Sequence, residues 1–256
     1  MSKQIRNLQK LKFINDSKFI GQINGKKYII WQAKPHQIPL LSKLGNCKLL
    51  EEMWVAQEWL ENSIAADIND ISHNLLFKIH MPIPQTIDDS WLQPIDEMWG
   101  LLSGAQKQCL PLSWTEYKTK LKAVTPNNGV IIHGDIHPGN IVLYRGEICL
   151  VDWEWCAVGP AEYDLAKLKQ HMNNKEHSQL IAQYAMHRSI DYNLIEIYYN
   201  LCFFLCACWA LTKTTTVCPQ NSLYKIQEYR EFLKIGKQDI NYADLAASAI
   251  AEFKVF

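Results

Sequence analysis

A short polar segment enclosed by apolar residues, His133 to Asn140, constrains the fold more than any other part of the chain. It reads HGDIHPGN, and three apolar residues stand directly before it and directly after it. A further apolar run leads into Asp152 shortly afterwards. Strands on both sides of a loop that contains proline and glycine hold its polar side chains in fixed positions. The pattern therefore predicts a rigid rim that carries Asp135 and Asn140.

The spacing of Asp135, Asn140 and Asp152 indicates phosphoryl transfer. Asp135 precedes Asn140 by five residues, which matches the pattern H-x-D-x-x-x-x-N. In that pattern the aspartate orients or deprotonates the attacking hydroxyl and the asparagine ligates a metal ion. Asp152, after the next hairpin, is the candidate for a second metal ligand, and oxygen ligands favour magnesium over zinc. Singly, each residue would fit a role in capping a turn.

A metal-dependent hydrolase is an alternative interpretation of the same segment. His133, Asp135 and His137 spell H-x-D-x-H, a pattern that suits imidazole ligation of a catalytic metal. This interpretation leaves Asn140 and Asp152 without a role. The phosphoryl-transfer interpretation uses all of them and is the one we pursue.

Three motifs between residues 130 and 168 resemble those of the aminoglycoside phosphotransferase, choline kinase and thiamine kinase superfamily. They are HGDIHPGN, LVDWEW and GPAEYDLA, and they are most similar to those of bacterial thiamine kinases and choline kinases. The resemblance implies an α+β, protein-kinase-like fold with two lobes. It also implies an enzyme that uses ATP and Mg²⁺ to phosphorylate a hydroxyl of a small metabolite.

The resemblance also implies roles for individual residues. Asp135 is the catalytic base, and Asn140 and Asp152 are the magnesium ligands. His133 and Asp164 brace the loop, and Glu154 lies beside the metals or the substrate. Outside the resemblance, His137 is a further supporting candidate, either at the surface or in contact with phosphate.

The N-terminal part departs from the family pattern at its phosphate-binding positions. Family members carry a lysine or arginine at the end of the strand that corresponds to Lys26 to Trp31, and here that position is Trp31. The candidates to replace it are Lys34 and Lys27. The loop from Phe13 to Phe19 has no glycine, whereas the family has a glycine-bearing loop. The residues we assign to the nucleotide are Lys34, Glu52 (with Glu51 as its alternative) and His80.

Thiamine is the first substrate predicted, and choline, ethanolamine or an aminoglycoside are the alternatives. Trp155 and Trp209 are candidates to stack on a cationic substrate, with Glu154 supplying negative charge. The altered N-terminal part also leaves open a protein of another class. That alternative is a catalytically silent relative that keeps the scaffold only to bind a ligand.

The order of predicted elements fits two lobes, residues 1–81 and residues 82–256. Asn24-Gly25 predicts a hairpin turn between two strands, and residues 48–60 show helical spacing. Two prolines, Pro82 and Pro84, mark the boundary. Beyond them most of the chain is predicted to be helical. Helices are expected over residues 89–108, from the capping box at Ser113, and over residues 163–169, 176–189, 191–212, 223–233 and 239–253.

The bulk properties favour a protein that binds a small molecule in the cytoplasm. There are 26 basic and 26 acidic residues, so the basic excess of a nucleic-acid-binding protein is missing. The first residues are polar, and the 8 cysteines are scattered, which favours reduced thiols. The apolar run from Leu194 to Leu211 predicts an internal helix, not a membrane span. A monomer or homodimer is expected.

Overall fold

The computed structural model describes residues 8–15, 18–44, 47–51, 53–214 and 241–254. Five strands open the fold: β1 (Leu8–Asn15), β2 (Lys18–Ile23), β3 (Lys26–Gln32), β4 (Cys47–Glu51) and β5 (Trp54–Glu58). They form one antiparallel sheet in the order β1-β2-β3-β5-β4. Asn24 and Gly25 have φ angles of 50° and 82°, as a two-residue hairpin turn requires, so that prediction is confirmed.

The two faces of this sheet bury different residues. Lys18 pairs with Trp31, and Trp31 pairs with Val55. Residues paired across antiparallel strands lie on the same face, so these three share one, which we call the inner face. Trp31 and Val55 belong to the main hydrophobic core. The opposite, outer face packs a small separate cluster: Phe19, Tyr28, Ile30 and Ala56.

The helix predicted over residues 48–60 is wrong, because the structure has the hairpin of β4 and β5 there. Leu49, Met53 and Ala56 fall at helical spacing, but β5 lies within the sheet and is covered on both faces. Val55, Ala56 and Gln57 are consecutive and all buried. A strand buried on both faces loses the alternation that distinguishes it from a helix. The helix that does form nearby is short, α1 (Ile38–Leu41).

Two small antiparallel sheets carry the polar loop. The first contains β6 (Ile64–Ala65), β9 (Ile141–Tyr144) and β10 (Glu147–Leu150). The second contains β7 (Pro82–Thr86), β8 (Asn128–Ile132) and β11 (Ala157–Gly159). Because β7 begins at Pro82, the chain that follows the predicted boundary joins the sheet on which the loop is built. The division at residues 81 and 82 stays a prediction.

The rest of the described chain is mainly helical. Its helices are α2 (His73–Ile79), α3 (Gln93–Leu101), α4 (Gly104–Gln108), α5 (Trp114–Val124), α6 (Ala161–His171), α7 (Asn174–Ala185), α8 (Tyr192–Thr212) and α9 (Tyr242–Glu252). The predicted capping box at Ser113 is confirmed. The single helix predicted over residues 89–108 is divided, because Ser103 forms a capping box that starts α4. The helix predicted over residues 223–233 lies outside the described residues.

Helix α8 is the central helix of this part. It is long and apolar enough to cross a membrane, but 67% of its most apolar window is buried inside the protein. Tyr198, Phe203 and Phe204 are among its fully buried side chains. It packs against α3, α6 and α9. This burial is that of a core helix.

Candidate active site

The segment His133 to Asn140, hereafter the HGDIHPGN loop, connects β8 to β9. Gly134 has a φ of +80°, and a Cβ atom there would lie 2.5 Å from the carbonyl oxygen of Trp155. Both the backbone conformation and the close approach therefore require glycine. At the other end, the residues Pro138–Asn140 form a 3-10 turn, and the Gly139 N–H donates to Nδ1 of His137 at 3.1 Å.

Asp164 fixes the start of this loop from the first turn of α6. Its carboxylate accepts the backbone N–H of His133 at 2.7 Å and that of Gly134 at 2.9 Å. The same carboxylate contacts Nε2 of His80 at 3.1 Å. Burial alone would raise the pKa of Asp164, but the hydrogen bonds from His80 and His133 outweigh it and lower that pKa. The loop is therefore held by a buried anion.

His80 is part of this brace, and its position does not fit the predicted contact with the nucleotide. The side chain is fully buried, and its Nδ1 lies 2.9 Å from the hydroxyl of Tyr184. Both ring nitrogens are thus occupied by protein groups. The sequence places His80 next to the predicted lobe boundary at residues 81 and 82, but it does not show which way the ring faces.

His133 connects the loop to the strand that leads to Asp152. Its Nδ1 lies 3.3 Å from the backbone N–H of Asp135, and its Nε2 lies 3.0 Å from the carbonyl oxygen of Val151. An acceptor at Nδ1 and a donor at Nε2 define the neutral Nε2–H tautomer. The ring also packs on Trp153, with 4.5 Å between centroids. Asp135 and Asp152 are therefore positioned by one shared residue.

Asp135 lies at the opening of the loop, with 30% of its side chain exposed. Its carboxylate is 3.4 Å from Nζ of Lys167 and 3.6 Å from Nε2 of His137. Burial opposes ionisation, but the neighbouring charges, that of Lys167 first and then that of His137, outweigh it and lower the pKa of Asp135. The amide nitrogen of Asn140 donates to the Asp135 carbonyl oxygen at 3.0 Å.

Lys167 is a site residue that the sequence analysis missed. It lies on α6 with its side chain 9% exposed, and its ammonium is 5.9 Å from the centre of the Tyr163 ring. Burial would lower the pKa of Lys167, but its interactions with Tyr163 and with the Asp135 carboxylate raise it. A signal was available, because Lys167 follows Asp164 by three residues on a predicted helix and so shares its face.

Asp152 has a left-handed backbone, with a φ of 67°. Such a conformation costs on the order of 1–3 kcal/mol and persists only where the surroundings enforce it. Here the Asp152 N–H donates to Oε1 of Gln57 on β5 at 3.1 Å. The carboxylate is 2.6 Å from Nζ of Lys18, which also lies 3.0 Å from Glu154. The five-stranded sheet thus holds Asp152 in place.

Lys18 is the basic residue that the structure brings to Asp152, and the sequence analysis did not select it. Burial would lower the pKa of Lys18, but the hydrogen bonds and charges of Asp152 and Glu154 raise it. Lys34, which was predicted to contact the nucleotide, instead forms an ion pair with Glu97 at 2.7 Å. No contact among the described residues joins Lys34 to the HGDIHPGN loop. Glu52 lies outside the described residues.

The donor set fits magnesium bound together with a nucleotide. Within the described part of the chain, no three acidic, histidine or cysteine side chains form a complete metal site. Magnesium in nucleotide sites needs only one or two protein oxygens, because phosphate oxygens and water supply the rest. Asp152 offers carboxylate oxygens. Because the Asn140 amide nitrogen donates to the Asp135 carbonyl oxygen, the Asn140 side-chain oxygen is the atom that could ligate a metal ion.

The two tryptophans predicted to bind substrate lie in different places. Trp155 is half-buried and contacts Gly134 through its backbone, so it adjoins the loop. Trp209 lies on α8 and packs on Tyr242 of α9, with 5.4 Å between ring centroids. No contact that the structure describes connects Trp209 with the loop.

Solved kinase structures share this fold. The choline kinase LicA from Streptococcus pneumoniae, in complex with AMP, aligns over 95% of this chain and 91% of its own, with a TM-score of 0.58 and 16% identity. The Plasmodium vivax ethanolamine kinase aligns over 96% and 83%, with a TM-score of 0.55 and 13% identity. The predicted protein-kinase-like α+β fold is confirmed.

Sequence comparison gives the family. A model of the phosphotransferase enzyme family matches residues 54–196, which is 143 of the 256 residues. The chain therefore belongs to this family, which confirms the predicted superfamily and the predicted enzyme class. The thiamine kinase of Escherichia coli O157:H7 is 24% identical over 195 residues, covering 69% of this chain and 70% of the relative. That of Escherichia coli K12 is 22% identical over the same length.

Proposed function

We propose that this small-molecule kinase uses ATP and Mg²⁺ to phosphorylate a hydroxyl group of a small cytoplasmic metabolite, with thiamine as the first candidate. The observation that carries the proposal is the shared anchoring of Asp135 and Asp152. The ring of His133 accepts the backbone N–H of Asp135 and contacts the carbonyl oxygen of Val151, the residue before Asp152. A carboxylate for the acceptor and a carboxylate for the metal are thereby held on one rim, as phosphoryl transfer requires.

Asp135 would accept a hydrogen bond from the acceptor hydroxyl. Its lowered pKa keeps it ionised at neutral pH but makes it a weak base. This suits phosphoryl transfer, because the loose transition state needs orientation of the hydroxyl more than early removal of its proton. The exposed part of the Asp135 carboxylate is the surface on which the hydroxyl would bind.

Asp152 and Asn140 would hold magnesium, which neutralises the charge that develops on the phosphate oxygens when it is bound. The Asp164 brace keeps Asn140 in register with Asp135, since both belong to the loop that it anchors. His137 contacts Asp135 and caps the turn before Asn140, which supports a role in shaping the loop.

Two observations support a cationic acceptor such as thiamine. The curated relatives of this chain are thiamine kinases, at 22–24% identity. The backbone of Trp155 adjoins the loop next to Glu154, and an indole ring facing the acceptor beside that carboxylate would favour a cation. Choline or ethanolamine are the alternatives that the solved kinases suggest, and an aminoglycoside is the remaining one.

The test is ADP release with a panel of acceptors: thiamine, choline, ethanolamine and an aminoglycoside. We expect release above the background without acceptor for one of them, with thiamine giving the highest kcat/KM, and no release after magnesium is removed with a chelator. If another acceptor gave the highest kcat/KM, that acceptor would replace thiamine as the proposed substrate. Failure of every acceptor, with no change in melting temperature on addition of Mg-ATP, would instead favour the silent binding protein.

Lys167 offers a test of how Asp135 is kept ionised. We expect Lys167→Met to move the acidic limb of the kcat/KM profile to higher pH, because Asp135 loses the strongest of the charges that lower its pKa. With a raised pKa, the carboxylate needs a higher pH to be ionised. Lys169→Met is the matched control, since Lys169 is also on α6 but pairs with Glu196. An acidic limb at the same pH in both variants would contradict this role.

A further inference from the structure

The inner face of the five-stranded sheet carries a lysine where an apolar residue would be expected. Lys18 lies on this face beside Trp31, its partner across the β2–β3 pairing. The residue as a whole is 7% exposed. Burying an ammonium costs several kcal/mol unless it is paired, and fixing a long side chain adds an entropic cost. A lysine at this position therefore depends on negatively charged partners.

Its contacts point toward the metal and phosphate end of the site. The ammonium lies 2.6 Å from Asp152 and 3.0 Å from Glu154. Asp152 is the proposed magnesium ligand. The Lys18 ammonium, held against that carboxylate, would therefore lie next to the phosphate oxygens that the same magnesium would bind.

Two buried hydrogen-bond donors on the same face find no acceptor in the part of the chain that the structure describes. They are Nε1 of Trp31 and Nε2 of Gln57, both without a hydrogen bond among the described residues. Gln57 is 2% exposed, and its other side-chain atom already holds the backbone of Asp152. Its register with Ile29, two residues from Trp31, places it on the inner face. Unpaired buried donors beside an ammonium are suited to an anion.

We propose that Lys18 binds the nucleotide phosphates and replaces, from the neighbouring strand, the basic residue that the family pattern places at Trp31. The inference rests on the proposed function, since it requires ATP to bind at this site. The two lysines that the sequence offered as replacements for this basic residue form ion pairs with other carboxylates. Lys34 pairs with Glu97, and Lys27 forms an exposed pair with Glu61 at 3.0 Å.

Binding of a nucleotide series by calorimetry, in the presence of magnesium, tests this without relying on turnover. For Lys18→Met we expect the Kd for ATP and for ADP to rise about 10- to 100-fold, as loss of a charge-assisted hydrogen bond predicts. The Kd for adenosine should stay within about twofold, because it has no phosphate. Lys27→Met, an exposed lysine of the same sheet, should leave all three values unchanged. Lys18→Arg should retain most of the affinity for ATP.

A double variant that moves the lysine to the paired position on β3 sharpens the test. The double variant Lys18→Met/Trp31→Lys should recover part of the ATP affinity that Lys18→Met loses, since it returns a cation to the same face. Unchanged ATP binding in Lys18→Met would overturn the inference, and so would an equal loss for adenosine and ATP. In either case ATP binding by the unaltered protein leaves the proposed function intact. Failure of the unaltered protein to bind ATP would overturn both.

Discussion

Asp135→Asn is expected to lower kcat about 10²- to 10⁴-fold, the range found when a positioned general base is removed. The amide has nearly the same shape as the carboxylate but cannot take the hydroxyl proton or orient it with a full charge. The Asp135 carbonyl, which accepts from Asn140, is unaffected by the change. ATP affinity should therefore be kept, and the loss should appear in kcat and not in KM for ATP.

The same substitution at an exposed site provides the control. Asp70 lies at the surface far along the chain from the loop, and Asp70→Asn should leave kcat unchanged. The melting temperature must be measured in parallel, because the buried Lys167 loses its charged partner in Asp135→Asn. Turnover at the wild-type rate in a folded Asp135→Asn variant would exclude Asp135 as the base.

Asp164→Ala is expected to lower the free energy of unfolding by about 3–5 kcal/mol, the cost of breaking a buried charged network from one side. The substitution leaves the backbone N–H groups of His133 and Gly134 and the ring of His80 without their acceptor. Urea unfolding measures the loss. Asp191→Ala, which removes only the side-chain cap of α8, should cost about 1 kcal/mol. Equal effects of the two substitutions would contradict the bracing role.

The stability that Asp164 supplies has a defined pH dependence. Its pKa is lowered in the folded protein, so its contribution is fully present above the unfolded value of about 3.9. That contribution is lost as the pH falls through the lower, folded pKa. The difference between the wild type and Asp164→Ala should therefore shrink in acid. A difference that is the same in neutral and in strongly acidic buffer would contradict this.

The parts of the candidate site that follow from local sequence could be placed from the sequence, and the roles assigned to those residues stay predictions. Asp135, Asn140 and Asp152 lie on short segments whose strand and turn pattern is local, so their spacing fixes their relative placement. Asp164 was selected through the family resemblance, and its place on the first turn of α6 brings it beneath the loop. Lys167 could have been found from the same helix by its spacing.

The parts that depend on distant pairing were not predicted. Lys18 and Asp152 are 134 residues apart in the chain, and only the register of β2 with β3 puts Lys18 on the inner face. The hairpin of β4 and β5 was predicted as a helix, because a strand covered on both faces shows no alternation. His80 and Lys34 were chosen as candidates from residue type, which does not specify the direction of a side chain. Both are engaged by other residues of the protein.

The central claim is that the HGDIHPGN loop carries out phosphoryl transfer from ATP to a small hydroxylated molecule. The most direct test follows the radiolabelled γ-phosphate of ATP in the presence of magnesium and the best acceptor, with wild type and Asp135→Asn side by side. The account predicts that the label moves to the acceptor in the wild type and that transfer falls about 10²- to 10⁴-fold in the variant. Transfer at the same rate in both proteins, or none in the wild type with any acceptor of the panel, would contradict it.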